Sequence, residues 1–252
     1  VSVRSEFLAD GSAWRQIGCK RSSCTVEAVF SLGRRAINQA MIHDVELGCS
    51  CGAVQGVARG ISPLGVHRAV CYCDDCQAFM HYLGHAEWLD DHGGSDVVQL
   101  PPSMIQFERG MERIVSIRLT EKGLHRWFAD CCKTPLGNTM TPAIPFIGIP
   151  VVAFKGVTGA LQRDEAFGKP RAVVMGKFAI GEVPDAAPGF PFVAQVRALS
   201  YVLRWKLAGK SWPHPYYDRG TGAPKYPVKI LTTSEREALR PLCGPGLLAR
   251  PH

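Results

Sequence analysis

The sequence predicts a mainly β domain fastened by clustered cysteines, with one short inserted helix and a helical C-terminal extension. Three observations carry this prediction. Short runs with strand-like alternation dominate residues 45–154. Seven of the ten cysteines fall in three tight groups: Cys49 and Cys51; Cys71, Cys73 and Cys76; Cys131 and Cys132. From Ala187 onward the apolar residues change to helical spacing.

Taken in order, residues 1–40 read as a poorly ordered leader, because linker-like runs such as Arg21-Ser-Ser-Cys24 and Gly33-Arg-Arg35 break any apolar period. Cys19 and Cys24 read there as bystanders. Residues 41–184 form the expected β domain. Val45 to Val54 reads as a strand that enters a metal-type knuckle and leaves it again. Val97 to Leu100, Ile105 to Phe107 and Arg113 to Leu119 alternate as strands do, with a turn at Gly110. His125 to Phe128 leads into the third cysteine group. Asp74 to Leu83 should be a helix with Gly84 near its end. Pro142 to Phe154, interrupted by three prolines, reads as strands rather than a membrane span.

Residues 185–252 form the extension. Phe192, Val193, Val196, Leu199, Val202, Leu203 and Leu207 recur at helical intervals, and Arg197, Arg204, Lys206 and Lys210 supply polar surface. Such a basic amphipathic helix can lie on a membrane, but the expectation is that it packs on its own domain. Prolines and glycines from Pro213 to Pro227 impose an extended stretch. Ser234-Glu-Arg-Glu237 reads as a capping box that opens a last short helix.

The chain has 252 residues, is 46% hydrophobic and 20% charged, and carries a formal charge of +7. That excludes global disorder and leaves room for a sizeable core. Seven thiolates on two Zn²⁺ ions would lower the charge to about +4. Such a surplus favours anionic small molecules or acidic surfaces and is a weak signal for nucleic acid. The sequence gives no sign of a transmembrane segment or secretory signal, so a cytoplasmic protein is expected. A homo-oligomer is compatible with the sequence.

Disulfides cross-link distant loops, whereas chelation needs thiolates presented together from tight turns, so the cysteine groups point to zinc, one or two ions per chain. Cys71-Tyr-Cys73-Asp-Asp-Cys76 places three thiolates at a strand-to-helix junction, where the helix N-terminus favours negative charge. Three ligands leave a tetrahedral ion one position short. That position is either open, as at a catalytic zinc, or closed by Cys131 or Cys132. Cys49 and Cys51, with Gly52 for a tight fold of backbone, need two more ligands, which Cys131 and Cys132 can provide. Neighbouring side chains on a strand point to opposite faces. Either a bend turns Cys131 and Cys132 inward together, or they serve different ions.

Gly48-Cys-Ser-Cys-Gly-Ala-Val54, then Cys71-Tyr-Cys-Asp-Asp-Cys76 before the helix with Gly84, then Phe128-Ala-Asp-Cys-Cys-Lys-Thr-Pro-Leu136 resemble, in that order, the glutathione-dependent formaldehyde-activating enzyme family. The resemblance covers about residues 45–155. It implies a β-tent fold, two pleated sheets pinned by zinc. It further implies a structural ion on Cys49, Cys51 and Cys132 and a catalytic ion on Cys71, Cys73 and Cys76. Ala129 stands where the family's third motif has its first cysteine, Cys131 directly precedes Cys132, and Lys133 replaces a glycine. Tyr72 stands where histidine is common. These departures mark a divergent branch whose substrate need not be glutathione.

The activity implied is that of a zinc-dependent carbon–sulfur lyase or thiol-adduct-forming enzyme, with a small thiol or aldehyde-derived substrate. His81 and His85 read either as a proton-carrying pair spaced i,i+4 on the helix or as a solvated face, and the second is preferred. Asp74 and Asp75 are expected to charge the helix start, and Trp127 and Phe128 to lie in the core. Arg109, Arg113 and Arg118 read as solvated strand arginines that could also meet an acidic substrate. The alternative function is a non-catalytic, zinc-stabilised binding module. A redox role for Cys73 and Cys76 ranks third, because no thioredoxin-like βαβ unit surrounds them.

Overall fold

The computed structural model describes residues 42–244, which fall within one compact unit. The expected leader, with Cys19 and Cys24, lies outside the described residues. In chain order the strands and helices are β1 (His43–Gly48), β2 (Gln55–Ile61), β3 (His67–Cys71), α1 (Asp74–Leu83), β4 (Ser95–Leu100), β5 (Ile105–Arg109), β6 (Ile114–Arg118), β7 (His125–Ala129), β8 (Pro135–Thr139), β9 (Ile147–Pro150), α2 (Ala160–Phe167), β10 (Ala172–Val174), α3 (Phe192–Leu207), β11 (Val228–Ile230) and α4 (Thr233–Leu239). The domain is mainly β, as its alternating runs predict.

Two sheets are formed. The smaller has the order β1-β2-β5 and the larger β10-β3-β4-β9-β8-β7-β6-β11. Pairing is antiparallel except at the two margins of the large sheet, where β10 joins β3 and β11 joins β6 in parallel. Both marginal strands are three residues long. Short edge strands limit the unpaired backbone offered to other chains.

The main core fills the space between the sheets. Leu47, Ala58 and Phe107 from the small sheet meet Val98, Ile114, Trp127, Leu136 and Ile149 from the large one. Tyr216 and Tyr217, from the proline-rich stretch, are buried in the same cluster. The Tyr216 ring stacks on Trp127 with centroids 4.7 Å apart, and its hydroxyl donates to the Leu136 carbonyl at 2.8 Å. Strand β7 then uses its alternation: Trp127 and Ala129 face this core, while Phe128 joins a second cluster with Phe79, Met80 and Leu83 of α1. Both expected core aromatics are therefore core.

Helix α1 has the predicted bounds. Gly84 adopts φ +74°, the left-handed conformation that suits glycine, and its N–H bonds back to the His81 carbonyl. His85 thus lies beyond the helix, not one turn above His81 on a shared face. The last helix also begins earlier than expected. Thr232, not Ser234, is the cap: Thr232 N–H donates to Glu235 Oε2 at 2.9 Å and Glu235 N–H to Thr232 Oγ1 at 3.2 Å. Threonine followed three residues later by glutamate satisfies two orphan donors, and the Thr232 register satisfies them first.

Helix α3 forms where its spacing predicts, but it packs with the opposite face. Ala194, Tyr201 and Trp205 are its buried residues. Small Ala194 lets the helix approach Ala69, Ala172 and Val174 at the margin of the large sheet, and the two aromatics cover more area than any pair of leucines. No helix among the described residues is long and apolar enough to cross a membrane.

Candidate metal centres

The β1–β2 connection folds into a knuckle. Gly52 takes φ +79° and returns its N–H to the Cys49 carbonyl at 3.0 Å, which turns Cys49 and Cys51 toward one point. On the large sheet the β7–β8 turn does the same for Cys131 and Cys132. Lys133 occupies the left-handed region at φ +58° and closes the turn through its N–H to the Ala129 carbonyl. That conformation is where a glycine is easiest, so Lys133 holds a strained position at the spot where the resembled family has glycine. The bend turns both neighbouring cysteines toward Cys49 and Cys51, and they join one cluster.

The four sulfurs of Cys49, Cys51, Cys131 and Cys132 lie within 4.8 Å of one another and could hold a metal ion. Individual separations are 3.5 Å for Cys49–Cys51, 3.4 Å for Cys51–Cys131, 3.8 Å for Cys49–Cys131 and 3.9 Å for Cys131–Cys132. A tetrahedron with metal–sulfur bonds of about 2.3 Å needs sulfurs roughly 3.8 Å apart, so the donor set fits a four-sulfur site. The separations are far too long for disulfides, and all described cysteines are free. Hydrogen bonds orient the ligands: Val54 N–H donates to Cys49 Sγ at 3.1 Å, and Thr134 Oγ1 lies 3.2 Å from Cys132 Sγ. Burial works against a Cys132 thiolate, but hydrogen bonds from Ser50, Thr134 and backbone N–H groups bring its pKa down to about 5. Burial and the neighbouring thiols push Cys131 up to about 12.

The second cluster is local. Cys71 ends β3, Cys73 is the N-cap of α1, and Cys76 sits in the helix's first turn. Alternation places Cys71 and Cys73 on one face and Tyr72 on the other. Tyr72 is buried and donates to Asp90 Oδ2 at 2.9 Å, away from the thiols. The sulfurs of Cys71, Cys73 and Cys76 lie within 4.8 Å of one another, with Cys73 and Cys76 at 3.1 Å, and could hold an ion. No fourth histidine, cysteine or carboxylate among the described residues belongs to this group.

One residue beside the three-thiol group escapes the sequence reading. Arg126 on β7 is 2% exposed, lies over the Phe79 ring at 5.3 Å and carries its guanidinium 3.8 Å from Asp75 Oδ2. Hydrogen bonds from Cys71 and Cys73 draw the Cys76 pKa well down; burial opposes them, and the Arg126 charge and hydrogen bond add to the lowering. The signal was present: a lone arginine within His125-Arg-Trp-Phe-Ala129, a strand otherwise fit for burial. By contrast, Arg109 and Arg113 are exposed, Arg113 meets Asp130 at 3.8 Å, and Arg118 donates to the Gly123 carbonyl at 3.1 Å.

His85 belongs to the other centre. Its ring nitrogens lie 2.6 Å from Glu87 Oε1 and 3.1 Å from the Cys132 carbonyl oxygen, and the ring stacks on Trp88. Cys243 joins neither cluster; it is buried and directs its thiol to the Leu239 and Asp74 carbonyls. A cleft of about 330 Å³, lined by Glu46, Gln55, Arg59, Glu108 and Lys155 among others, borders the four-thiol knuckle rather than the three-thiol group.

The profile of a family described as "Family of unknown function (DUF6151)" matches residues 41–226, a span that takes in both thiol clusters, Arg126, α3 and Tyr216. No curated protein matches the chain.

Proposed function

This chain belongs to DUF6151, a family of unknown function, and we propose that it is a cytoplasmic zinc protein with a β-tent fold and a three-thiolate centre that acts on small thiols. On this reading Cys49, Cys51, Cys131 and Cys132 hold a closed structural ion, and Cys71, Cys73 and Cys76 hold a reactive one. The observation that carries it is the three-sulfur group with no fourth protein ligand among the described residues. Soft thiolates select zinc over hard cations, and a closed four-sulfur tetrahedron is a common structural zinc site. The eight cysteines among the described residues are all free, which suits a reducing compartment.

Bound at the open centre, zinc would supply an exchangeable position at which a thiolate can be held or a carbonyl polarised. Three thiolates leave such a centre one negative charge in excess, and Arg126 offsets it from within the core. Asp75 orients that guanidinium. Helix α1 contributes the positive end of its dipole at Cys73. The activity that best matches these parts is formation or cleavage of a carbon–sulfur adduct between a small thiol and an aldehyde-derived group, as the resemblance to the formaldehyde-activating family suggests.

A second reading, a zinc-stabilised binding module without catalysis, draws on one observation. His85 is committed to Glu87 and the Cys132 carbonyl, and Tyr72 to Asp90, so neither serves the three-thiol centre as an acid or base. The experiment that separates the readings is metal content per chain followed by cobalt substitution. Two ions, with the thiolate absorption of one changing when glutathione is added, support the open centre. Two ions indifferent to every added thiol overturn it in favour of the module.

A further inference from the structure

Helix α3 carries a continuous apolar stripe on the side turned away from the domain. Phe192, Val196, Leu199, Leu203 and Leu207 follow one another at steps of three and four, so they share one face. Their exposures are 77%, 48%, 65%, 54% and 80%. The helix is not loose. Tyr201 meets His67 edge-to-face at 5.4 Å and donates to the Leu64 carbonyl at 3.4 Å, while Arg197 donates to the Arg171 carbonyl at 2.9 Å. A helix held firmly by one face therefore presents its more apolar face outward. Scattered exposed leucines need no explanation, but five in a row on one helix mark a contact surface.

Charge identifies the occupant. Helix α3 contains no aspartate or glutamate. Arg197 and Arg204 border the stripe on one side and Lys206 on the other, with Lys210 just beyond the C-terminus, and all four are exposed. A second copy of the helix would bring four more cations and no anion against them, a like-charge juxtaposition that opposes pairing. An anionic phospholipid surface complements both features at once: headgroup phosphates for the bordering cations, the acyl boundary for the stripe.

We propose that α3 is a membrane-surface helix that docks the folded domain on an anionic bilayer. Its 16 residues would lie in the membrane plane, with the stripe entering the boundary between headgroups and acyl chains and the Tyr201–Trp205 face still seated on the domain. The inference is independent of what the thiol clusters bind, since none of their residues lies on α3.

The test is co-sedimentation of the full chain with vesicles of phosphatidylcholine containing one-third phosphatidylglycerol, compared with pure phosphatidylcholine. Binding should be roughly tenfold or more stronger on the anionic vesicles and should weaken with salt. The double substitution Leu199→Glu with Leu203→Glu should abolish it while thermal stability and metal content stay unchanged. Charge reversal by Arg204→Glu with Lys206→Glu, which spares the stripe, should remove the preference for anionic lipid. Absence of binding to anionic vesicles at low salt overturns the proposal. Self-association that is lost in the Leu199→Glu, Leu203→Glu variant, without vesicle binding, would also overturn it by assigning the face to a second copy.

Discussion

The sulfurs of Cys49 and Cys131, 82 residues apart in sequence, lie 3.8 Å from each other. Cys49 follows a strand of the small sheet and Cys131 a strand of the large one, so an ion held at this point would join the two sheets at one corner. Its removal should be felt by the whole fold. Metal stripped by a chelator should lower the melting temperature sharply, because binding at four-sulfur sites contributes on the order of 10 kcal/mol to folding. Cys131→Ser should remove one metal equivalent and most of that stabilisation. Cys73→Ser should remove the other equivalent with a much smaller shift. Equal shifts in calorimetry of the two variants would contradict the division into a pinning and an open centre.

Arg126 is predicted to set the affinity of the three-thiol centre. Arg126→Met keeps much of the packing over Phe79 but removes the charge beside Cys76 and Asp75. Loss of an outer partner of this kind weakens a metal site by roughly 10–100-fold. In the metal-free protein the same change should cost less than about 1 kcal/mol, because the Asp75 carboxylate it leaves behind is half exposed and stays solvated. Competition with a colorimetric chelator reads the first quantity and urea unfolding the second. Arg126→Lys should recover part of the affinity; no recovery would indicate a packing role alone.

Two buried histidines give the stability a defined pH dependence. Burial, aided by the Arg171 and Arg197 charges, lowers His67 to about 4, and burial with Lys225 lowers His214 to about 3, both from 6.5. Above pH 6.5 each is neutral in the folded and unfolded chain, so neither affects stability. As the pH falls below 6.5 the unfolded chain takes up two protons that the folded one refuses until about pH 4. Stability should then fall by about 2.7 kcal/mol per pH unit from this pair. His214 Nδ1 also accepts the Tyr216 N–H at 3.1 Å, a bond that protonation there would break. His214→Asn, which can supply an amide oxygen as acceptor, should roughly halve the slope relative to the parent in urea titrations at pH 6 and 5.

Tyr216 ties the extension to the core, and its two roles can be separated. Tyr216→Phe retains the stack on Trp127 but leaves the Leu136 carbonyl without its donor. The expected cost is about 1–3 kcal/mol. Tyr216→Ala also opens a cavity in a fully buried site and should cost about 3–5 kcal/mol. Similar losses for both would mean the hydroxyl, not the ring, fastens residues 213–227.

What the sequence discloses and what it hides divide along the length scale of the cause. Local causes are legible. The glycine at 84 ends α1 where expected, the alternation at β4, β5 and β6 is plain, and the cysteine groups predict both clusters. Long-range causes are not. Strands β10 and β11 have three residues each and exist because β3 and β6 offer them open edges. Pairing of Cys131 with Cys49 depends on the left-handed turn at Lys133, a conformation a lysine does not advertise. The orientation of α3 inverts because aromatic size and one small alanine outweigh the count of leucines and valines. Arg126 shows in the sequence only as one charge in an apolar strand, and its place beside Cys76 and Asp75 appears once β7 is laid against α1.

The two centres also differ in how much chain must be in place before they exist. Cys71, Cys73 and Cys76 come from six consecutive residues, so a nascent chain can present all three as soon as that segment clears the ribosome. The other centre requires Cys49 to await Cys131 and Cys132, and it closes only after the intervening loop has been drawn in against its entropy. If each centre takes a metal ion, the first can fill while the chain is still being made and the second only once the two sheets have met. Occupancy of the second centre would then report a completed fold. A chain holding only the first ion would have its sheets unpinned at the corner where Cys49 meets Cys131.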